Sequence, residues 1–310
     1  MVTLPPEDLR GQLSGVLVFA PTPFEPGTLA LDLAGFRRNM EFLAAAGIRA
    51  VAVAGFVGEY SALGPQEYRS VVRTAREAFG GDGLVVAGVG VGAGVAAEHA
   101  AAAESAGADC VMLLPPYLVQ ASDDGLVAYT AMVARATRCG VMVHSMPSYP
   151  FTPELVERLA GVPGVVAYKD ELGDVDNFRR VAARVGDRLA YVNGRAEPVM
   201  GEYAAAGATV LATAIGNFDP QLALAAYATL SQDGPDALAA VLAPRATPWY
   251  QLRQRERAFL ISVSKASMSL TGLSGGAVRP PLSPLSDPVQ HELVQLMRTV
   301  GYLEPLEAAR

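Results

Sequence analysis

Gly140-Val141-Met142-Val143-His144-Ser145-Met146, then Thr152-Pro153-Glu154-Leu155-Val156-Glu157-Arg158-Leu159, then Val165-Val166-Ala167-Tyr168-Lys169-Asp170-Glu171: an apolar run passes into a helical pattern and returns to an apolar run. Thr152 and Pro153 read as the N-cap and first position of the helix, where a hydroxyl acceptor and a preset φ are favoured. A strand, a helix and a second strand in that order describe a βα unit of a parallel sheet. The same alternation extends in both directions. Further apolar runs are Gly15–Phe24, Ala50–Gly55, Leu84–Gly90, Cys110–Pro116, Leu189–Gly194 and Thr209–Asn217, which with the first two make eight. Between them lie helical patterns such as Asp32–Ala46, with Phe36, Met40 and Leu43 on one face, and a start at Asp219-Pro220.

Eight such units predict an α/β fold, a closed (β/α)8 TIM barrel. A doubly wound open sheet would place a nucleotide-binding glycine fingerprint at the first βα turn. The only loose match, Gly88, Gly90 and Ala93, follows the third run and reads as a glycine turn. Pro244–Gly272 and Asp287–Tyr302 read as further helices, separated by a Gly/Pro-rich loop at Gly272–Pro284. The expected organisation is a barrel over residues 1–242 and a helical C-terminal extension over 243–310, packed on the barrel.

A chain of 310 residues, 51% hydrophobic, can bury a full core, which excludes a disordered protein. The net charge of -7, with no basic run, offers no footprint for nucleic acid or an anionic membrane. Cys110 and Cys139 lie in apolar stretches without CxxC spacing and read as reduced core residues. Met1–Leu13 carries Glu7, Asp8 and Arg10 where a signal peptide needs an apolar core, and the uncharged run Leu84–Ala97 is too short to span a bilayer. A cytoplasmic location is therefore expected. Three widely spaced histidines, His99, His144 and His291, without HxH or HExxH, suggest no metal site.

Of 24 basic residues only Lys169 and Lys265 are lysine. An amine, unlike a guanidinium, can lose its proton and attack a carbonyl carbon. Coding bias toward arginine would leave the same two residues. Position separates them: along the sixth run the two-residue period puts Val165, Ala167 and Lys169 on one face, so Lys169 points into the barrel mouth, where active sites of this fold lie. A free amine is only about one part in 2,500 neutral at pH 7, and apolar surroundings disfavour its charged form. The plainer alternative is pairing with Asp170 or Glu171 at the strand end. Lys265, in the C-terminal helix, reads as a packing or salt-bridge lysine.

Other polar groups at run ends are candidates too. Gly55-Phe56-Val57-Gly58-Glu59 ends the second run, with glycines that allow close backbone approach to a ligand. His144 and Ser145 end the fifth, where His144 is an acid or base near neutral pH, or a histidine bonded in the wall. Tyr117 follows the fourth, Arg195, a substrate contact or a surface salt bridge, follows the seventh, and Asn217 ends the eighth. Gly272-Leu273-Ser274-Gly275-Gly276 fits GxSxG but lacks the preceding strand that a nucleophile elbow needs. Asp170 and Glu171, adjacent on a strand, point to opposite faces and do not form a glycosidase pair.

These residues resemble the pyruvate-type class I aldolases and dehydratases related to dihydrodipicolinate synthase and N-acetylneuraminate lyase. Gly55–Glu59 stands where that family has a Gly-x-Thr-Gly-Glu loop, Lys169 where it has its Schiff-base lysine, and Lys265 with Arg279-Pro280-Pro281-Leu282 where it has a lysine-bearing helix and tail. Leu113–Leu118, Tyr168-Lys169-Asp170 with Gly173-Asp174, Asn217-Phe218 and Ser262–Ala266 look most like the 5-dehydro-4-deoxyglucarate dehydratase branch. The resemblance implies a Schiff base between Lys169 and a 2-oxo acid, no cofactor, and a homodimer or homotetramer with Tyr117 near a subunit interface. It implies substrate contacts from Gly55, Phe56, Val57, Gly58, Glu59, Ser145, Arg195 and Asn217, and relay roles for His144 and Tyr117. The chain departs from the family at Val57, where a threonine is usual, at His144, where a tyrosine is usual, and at Ser145 in place of asparagine. Valine cannot donate a hydrogen bond, so the loop suits a more apolar substrate end. The leading expectation is a lyase of the dehydratase type; a pyruvate-dependent aldolase or synthase, and a barrel that only binds a metabolite, are the alternatives.

Overall fold

The computed structural model describes residues 6–304. Eight parallel strands close into one barrel in sequence order: β1 (Gly15–Phe19), β2 (Ala50–Val53), β3 (Leu84–Val91), β4 (Cys110–Pro116), β5 (Gly140–Ser145), β6 (Val165–Asp170), β7 (Ala190–Asn193) and β8 (Val210–Thr213). β8 returns to β1, with Gly15 opposite Val210 and Val18 opposite Thr213. All eight expected runs contain a strand. Asp32, Thr152 and Asp219 cap their helices through side-chain oxygens that accept the backbone N–H of Gly35, Leu155 and Leu222.

The barrel interior is filled by small residues beside large ones, including Ala50, Ala52, Ala167 and Ala212 against Phe19, Met112 and Met142. Its floor is closed by the helix Pro6–Gln12, which sends Leu9 inward. A Cβ at Gly140, the first residue of β5, would lie 2.5 Å from Leu9 Cδ2, so glycine there makes room for the plug. Residues 1–5 of the Met1–Leu13 stretch and the side chain of Glu7 lie outside the described residues.

Several expectations are corrected. Strict alternation along β6 fails at its start: Val141 pairs with Val165 but Met142 with Ala167, so Val166 is an inserted bulge residue. Val165 consequently faces the outer helices, and the inward series begins at Val166 and Ala167 and reaches Lys169. The first run is strand only to Phe19, and the eighth divides into β8 and a 3-10 turn, Ile215–Asn217. Pro244–Gly272 holds two helices, Ala246–Gln254 and Phe259–Leu270, with a turn between them. Trp249, Tyr250, Val263 and Met268 pack with Ile215 and Phe218 over the C-terminal end of the barrel. No helix among the described residues is long and apolar enough to cross a membrane.

Candidate active site

The strand ends open into a cleft of about 320 Å³. β5 and β6 pair His144 directly with Lys169, which puts two polar side chains side by side on the inner face. Lys169 Nζ lies 2.8 Å from His144 Nε2 and 3.1 Å from Glu171 Oε2, and 5.0 Å from the centre of the Phe19 ring. His144 Nε2 is itself 3.0 Å from Glu171 Oε2, so amine, imidazole and carboxylate form a closed triangle.

The turn after β6 delivers Glu171. Asp170 points away from the cleft, where Tyr168 and Tyr203 donate to its two oxygens at 2.9 and 2.5 Å and the N–H of Leu172 donates at 3.1 Å. That network holds the strand end while Glu171, two positions past Lys169, returns to the inner face. Gly194 completes the arrangement from β7: its N–H donates to Asp170 O at 2.7 Å, and a Cβ there would lie 2.4 Å from Asp170 O and 3.0 Å from Lys169 Nζ.

Electrostatics assign the protons. Burial, and then the Lys169 ammonium, push His144 down to about 4 against the opposing pull of Glu171, so the imidazole is neutral at pH 7. Nε2 accepts from the ammonium only with the ring proton on Nδ1, and buried Nδ1 has no partner among the described residues. Burial works to raise Glu171, but the charge of the Lys169 ammonium, which donates to both His144 Nε2 and Glu171 Oε2, outweighs it and holds the carboxyl well below its usual range.

Of the other expected site residues, Phe56, Val57 and Arg195 line the cleft. Gly55, Gly58 and Glu59 shape its loop without lining it: a Cβ at Gly58 would lie 2.7 Å from Ala54 N. Glu59 is a correction, because its buried carboxylate is consumed by Lys265 Nζ at 2.5 Å and by the N–H of Arg279 at 2.9 Å. Ser145 Oγ accepts the N–H of Phe151, and Asn217 Nδ2 donates to the carbonyls of Phe19 and Ala214, so neither reaches the cleft. Tyr117 is 67% exposed and stands outside it. Ser274 of the GxSxG match donates to Asp32 at 2.5 Å in a loop contact.

Sequence reasoning weighed Glu171 as a partner for Lys169 and, with Asp170, as a glycosidase pair that it set aside, but not as a member of the site, although the two-residue period already placed it on the face of Lys169. It missed Thr213, Arg253 and Arg257, which also line the cleft. Thr213 carried a weak signal as a polar residue inside the eighth apolar run, and the structure ends β8 on it. The arginines carried none, since they come from the extension. Among the described residues no cluster of three or more His, Cys, Asp or Glu could hold a metal ion.

A closed (β/α)8 barrel with a buried amine, imidazole and carboxylate in contact at its mouth defines a barrel enzyme. The chain belongs to the Dihydrodipicolinate synthetase family, whose sequence profile matches residues 12–300, and it is a lyase. It is 35% identical over 313 residues to a protein of Bradyrhizobium diazoefficiens named probable 5-dehydro-4-deoxyglucarate dehydratase, covering 100% of this chain and 99% of that one. It is 38% identical to a protein of the same name from Methylobacterium radiotolerans, covering 96% and 99%. A crystal structure of dihydrodipicolinate synthase from Oceanobacillus iheyensis superposes with a TM-score of 0.89 at 26% identity, covering 95% of this chain and 98% of that one.

Proposed function

We propose that the protein is a class I Schiff-base lyase of the 5-dehydro-4-deoxyglucarate dehydratase type. The observation that carries this reading is the buried Lys169 amine 2.8 Å from a neutral imidazole and 3.1 Å from a carboxylate. The Lys169 ammonium passes a proton to His144 Nε2, and the free amine adds to the carbonyl carbon of a 2-oxo acid. The carbinolamine hydroxyl takes up a proton and leaves as water, giving an iminium. Loss of a proton from the neighbouring carbon yields an enamine, which expels the hydroxyl of the next carbon as a second water and returns to a conjugated iminium. Hydrolysis restores the amine and consumes one water, so one water is lost overall. For 5-dehydro-4-deoxyglucarate, a proton shift from the remaining hydroxyl-bearing carbon turns it into a carbonyl. The carboxyl on the iminium carbon leaves as carbon dioxide, with a proton taking its place, before hydrolysis, so net loss of one water and one carbon dioxide gives 2,5-dioxopentanoate. Glu171 accepts from the Lys169 amine and offsets the positive charge on that nitrogen in its ammonium and iminium forms.

Phe19, Phe56 and Val57 give the carbonyl end of the cleft an apolar wall. Similarity to the relatives supports a homo-oligomer, and exposed Tyr117, Leu118 and Val119 offer an apolar tip for a subunit contact. The buried free thiols Cys110 and Cys139 suit a reducing, cytoplasmic setting.

Borohydride trapping with pyruvate, 2-oxoglutarate and 5-dehydro-4-deoxyglucarate, followed by peptide mapping, tests the reading. The expected result is a substrate-dependent adduct on Lys169 that is absent in Lys169→Arg. Trapping of pyruvate alone would assign the synthase or aldolase reaction instead. Ligand binding without any adduct would overturn the lyase chemistry and leave a metabolite-binding barrel.

A further inference from the structure

The cleft carries more positive charge than the chemistry at Lys169 uses. Arg195, Arg253 and Arg257 line it, while its one acidic lining residue, Glu171, is engaged by Lys169 and His144. Arg253 is the most constrained of the three. It is 7% exposed, and its Nε donates to Leu260 O at 2.9 Å and to Ser264 Oγ at 3.0 Å. Its guanidinium lies 5.6 and 5.9 Å from the ring centres of Trp249 and Tyr250, which fixes the plane of the fork. Nη1 and Nη2 have no hydrogen-bond or ion-pair partner among the described residues.

A nearby carboxylate does not supply one. Buried Glu197 takes the hydroxyl of Thr213 at 2.5 Å and that of Tyr250. The contrast is Arg279, whose Nη1 and Nη2 both reach Glu67, at 2.7 and 2.6 Å. A guanidinium buried without its counter-ion is unfavourable, and a locked fork with two free donors matches the geometry of a carboxylate. Because Arg253 lines the cleft, a ligand there can provide that carboxylate. The contacts of Lys169 Nζ itself are His144, Glu171 and Phe19, whereas the arginines come from the loop after β7 and from the extension.

We propose that Arg253, with Arg257 from the same segment, binds the substrate carboxylate remote from the carbonyl that Lys169 attacks. The site thereby selects 2-oxo acids that carry a second acid group. This rests on the lyase reading above for the position of the carbonyl end, but the remote subsite is measurable without catalysis.

Calorimetry with D-glucarate and D-gluconate, a diacid and its monoacid counterpart without a 2-oxo group, isolates the remote carboxylate. The native protein is expected to favour glucarate by about tenfold or more, the scale of a charge-assisted pair. Arg253→Gln is expected to abolish that preference and Arg253→Lys to restore part of it. Should Arg253→Gln lose cooperative unfolding, Arg257→Gln, whose side chain is exposed, replaces it with an expected loss of about threefold or more in the same ratio. Equal affinity for the two acids in the native protein, or an unchanged ratio in the folded variants, would overturn the proposal. Failure of the lyase reading looks different: no borohydride adduct forms, while the glucarate preference persists and depends on Arg253.

Discussion

Lys265→Met removes one half of an ion pair whose side chains are 2% and 1% exposed. Lys265 Nζ sits 2.5 Å from Glu59 Oε1, donates to Ala277 O at 2.5 Å and lies 4.6 Å from the Phe24 ring centre. Burial pulls the Lys265 ammonium down from its usual range and Glu59 pulls it back, so each charge is tolerated because of the other. Removing one partner leaves Glu59 with the Arg279 N–H alone, and a buried charge stranded in this way costs about 3–5 kcal/mol. The double variant Lys265→Met with Glu59→Gln strands no charge and is expected to be more stable than the sum of the singles predicts, by about 1–3 kcal/mol. Denaturant unfolding of native protein, both singles and the double gives all four corners of the cycle. A Lys265→Met loss under about 1 kcal/mol with an unchanged m value, or strict additivity, would refute the reasoning. The pair also joins the helix Phe259–Leu270 to the loop that carries Phe56 and Val57, so the same variants should slow adduct formation at Lys169.

Gly194→Ala is expected to destabilise by about 1–3 kcal/mol, because its Cβ meets a backbone oxygen that cannot swing away. It should also slow borohydride trapping by displacing Lys169 Nζ; native stability and native trapping together would rule this out. His144 titrates near 4 in the folded protein and near its ordinary 6.5 when unfolded, so between those values the unfolded chain binds more protons. Stability should therefore fall as pH drops through that window, by up to about 3 kcal/mol from this group. Glu171, also depressed, adds a loss in the same direction at lower pH. His99, lowered by burial, contributes in native protein and variant alike, so the difference between native and His144→Gln profiles isolates His144. Parallel profiles from pH 6.5 to 4.5 would refute the shift.

The barrel was legible because each strand and helix declares itself locally, through apolar runs and caps a few residues apart. The bulge at Val166 was not, since it arises from pairing with β5 and leaves no mark in a run of valines and alanine. Lys169 and His144 were readable from residue type and a two-residue period near the ends of neighbouring strands. Whether a polar side chain at a strand end faces the cleft is a different question, because the group that claims it can be far away. Glu59 is taken by a lysine 206 positions distant, and Asn217 by a carbonyl 198 positions distant. Ser145 was misread over only six positions, because its Oγ is taken by the N–H of Phe151 in an irregular loop. Arg253 illustrates the reverse: a helix charge that reads as a solvated face becomes part of the cleft only when the extension folds back.

The pairing of β8 with β1 orders events during synthesis. Until Val210–Thr213 leaves the ribosome, β1 keeps an open hydrogen-bonding edge, and the nascent chain is a curved sheet that another strand can join. Lys169 and His144 are by then already made, whereas Arg253 follows the closing strand by tens of residues. A chain interrupted between those points has a closed ring, a nucleophile and Arg195 but lacks Arg253 and Arg257. The segment that follows the barrel strands thus completes the cleft, and a message cut short before it yields a barrel that can close before it can select.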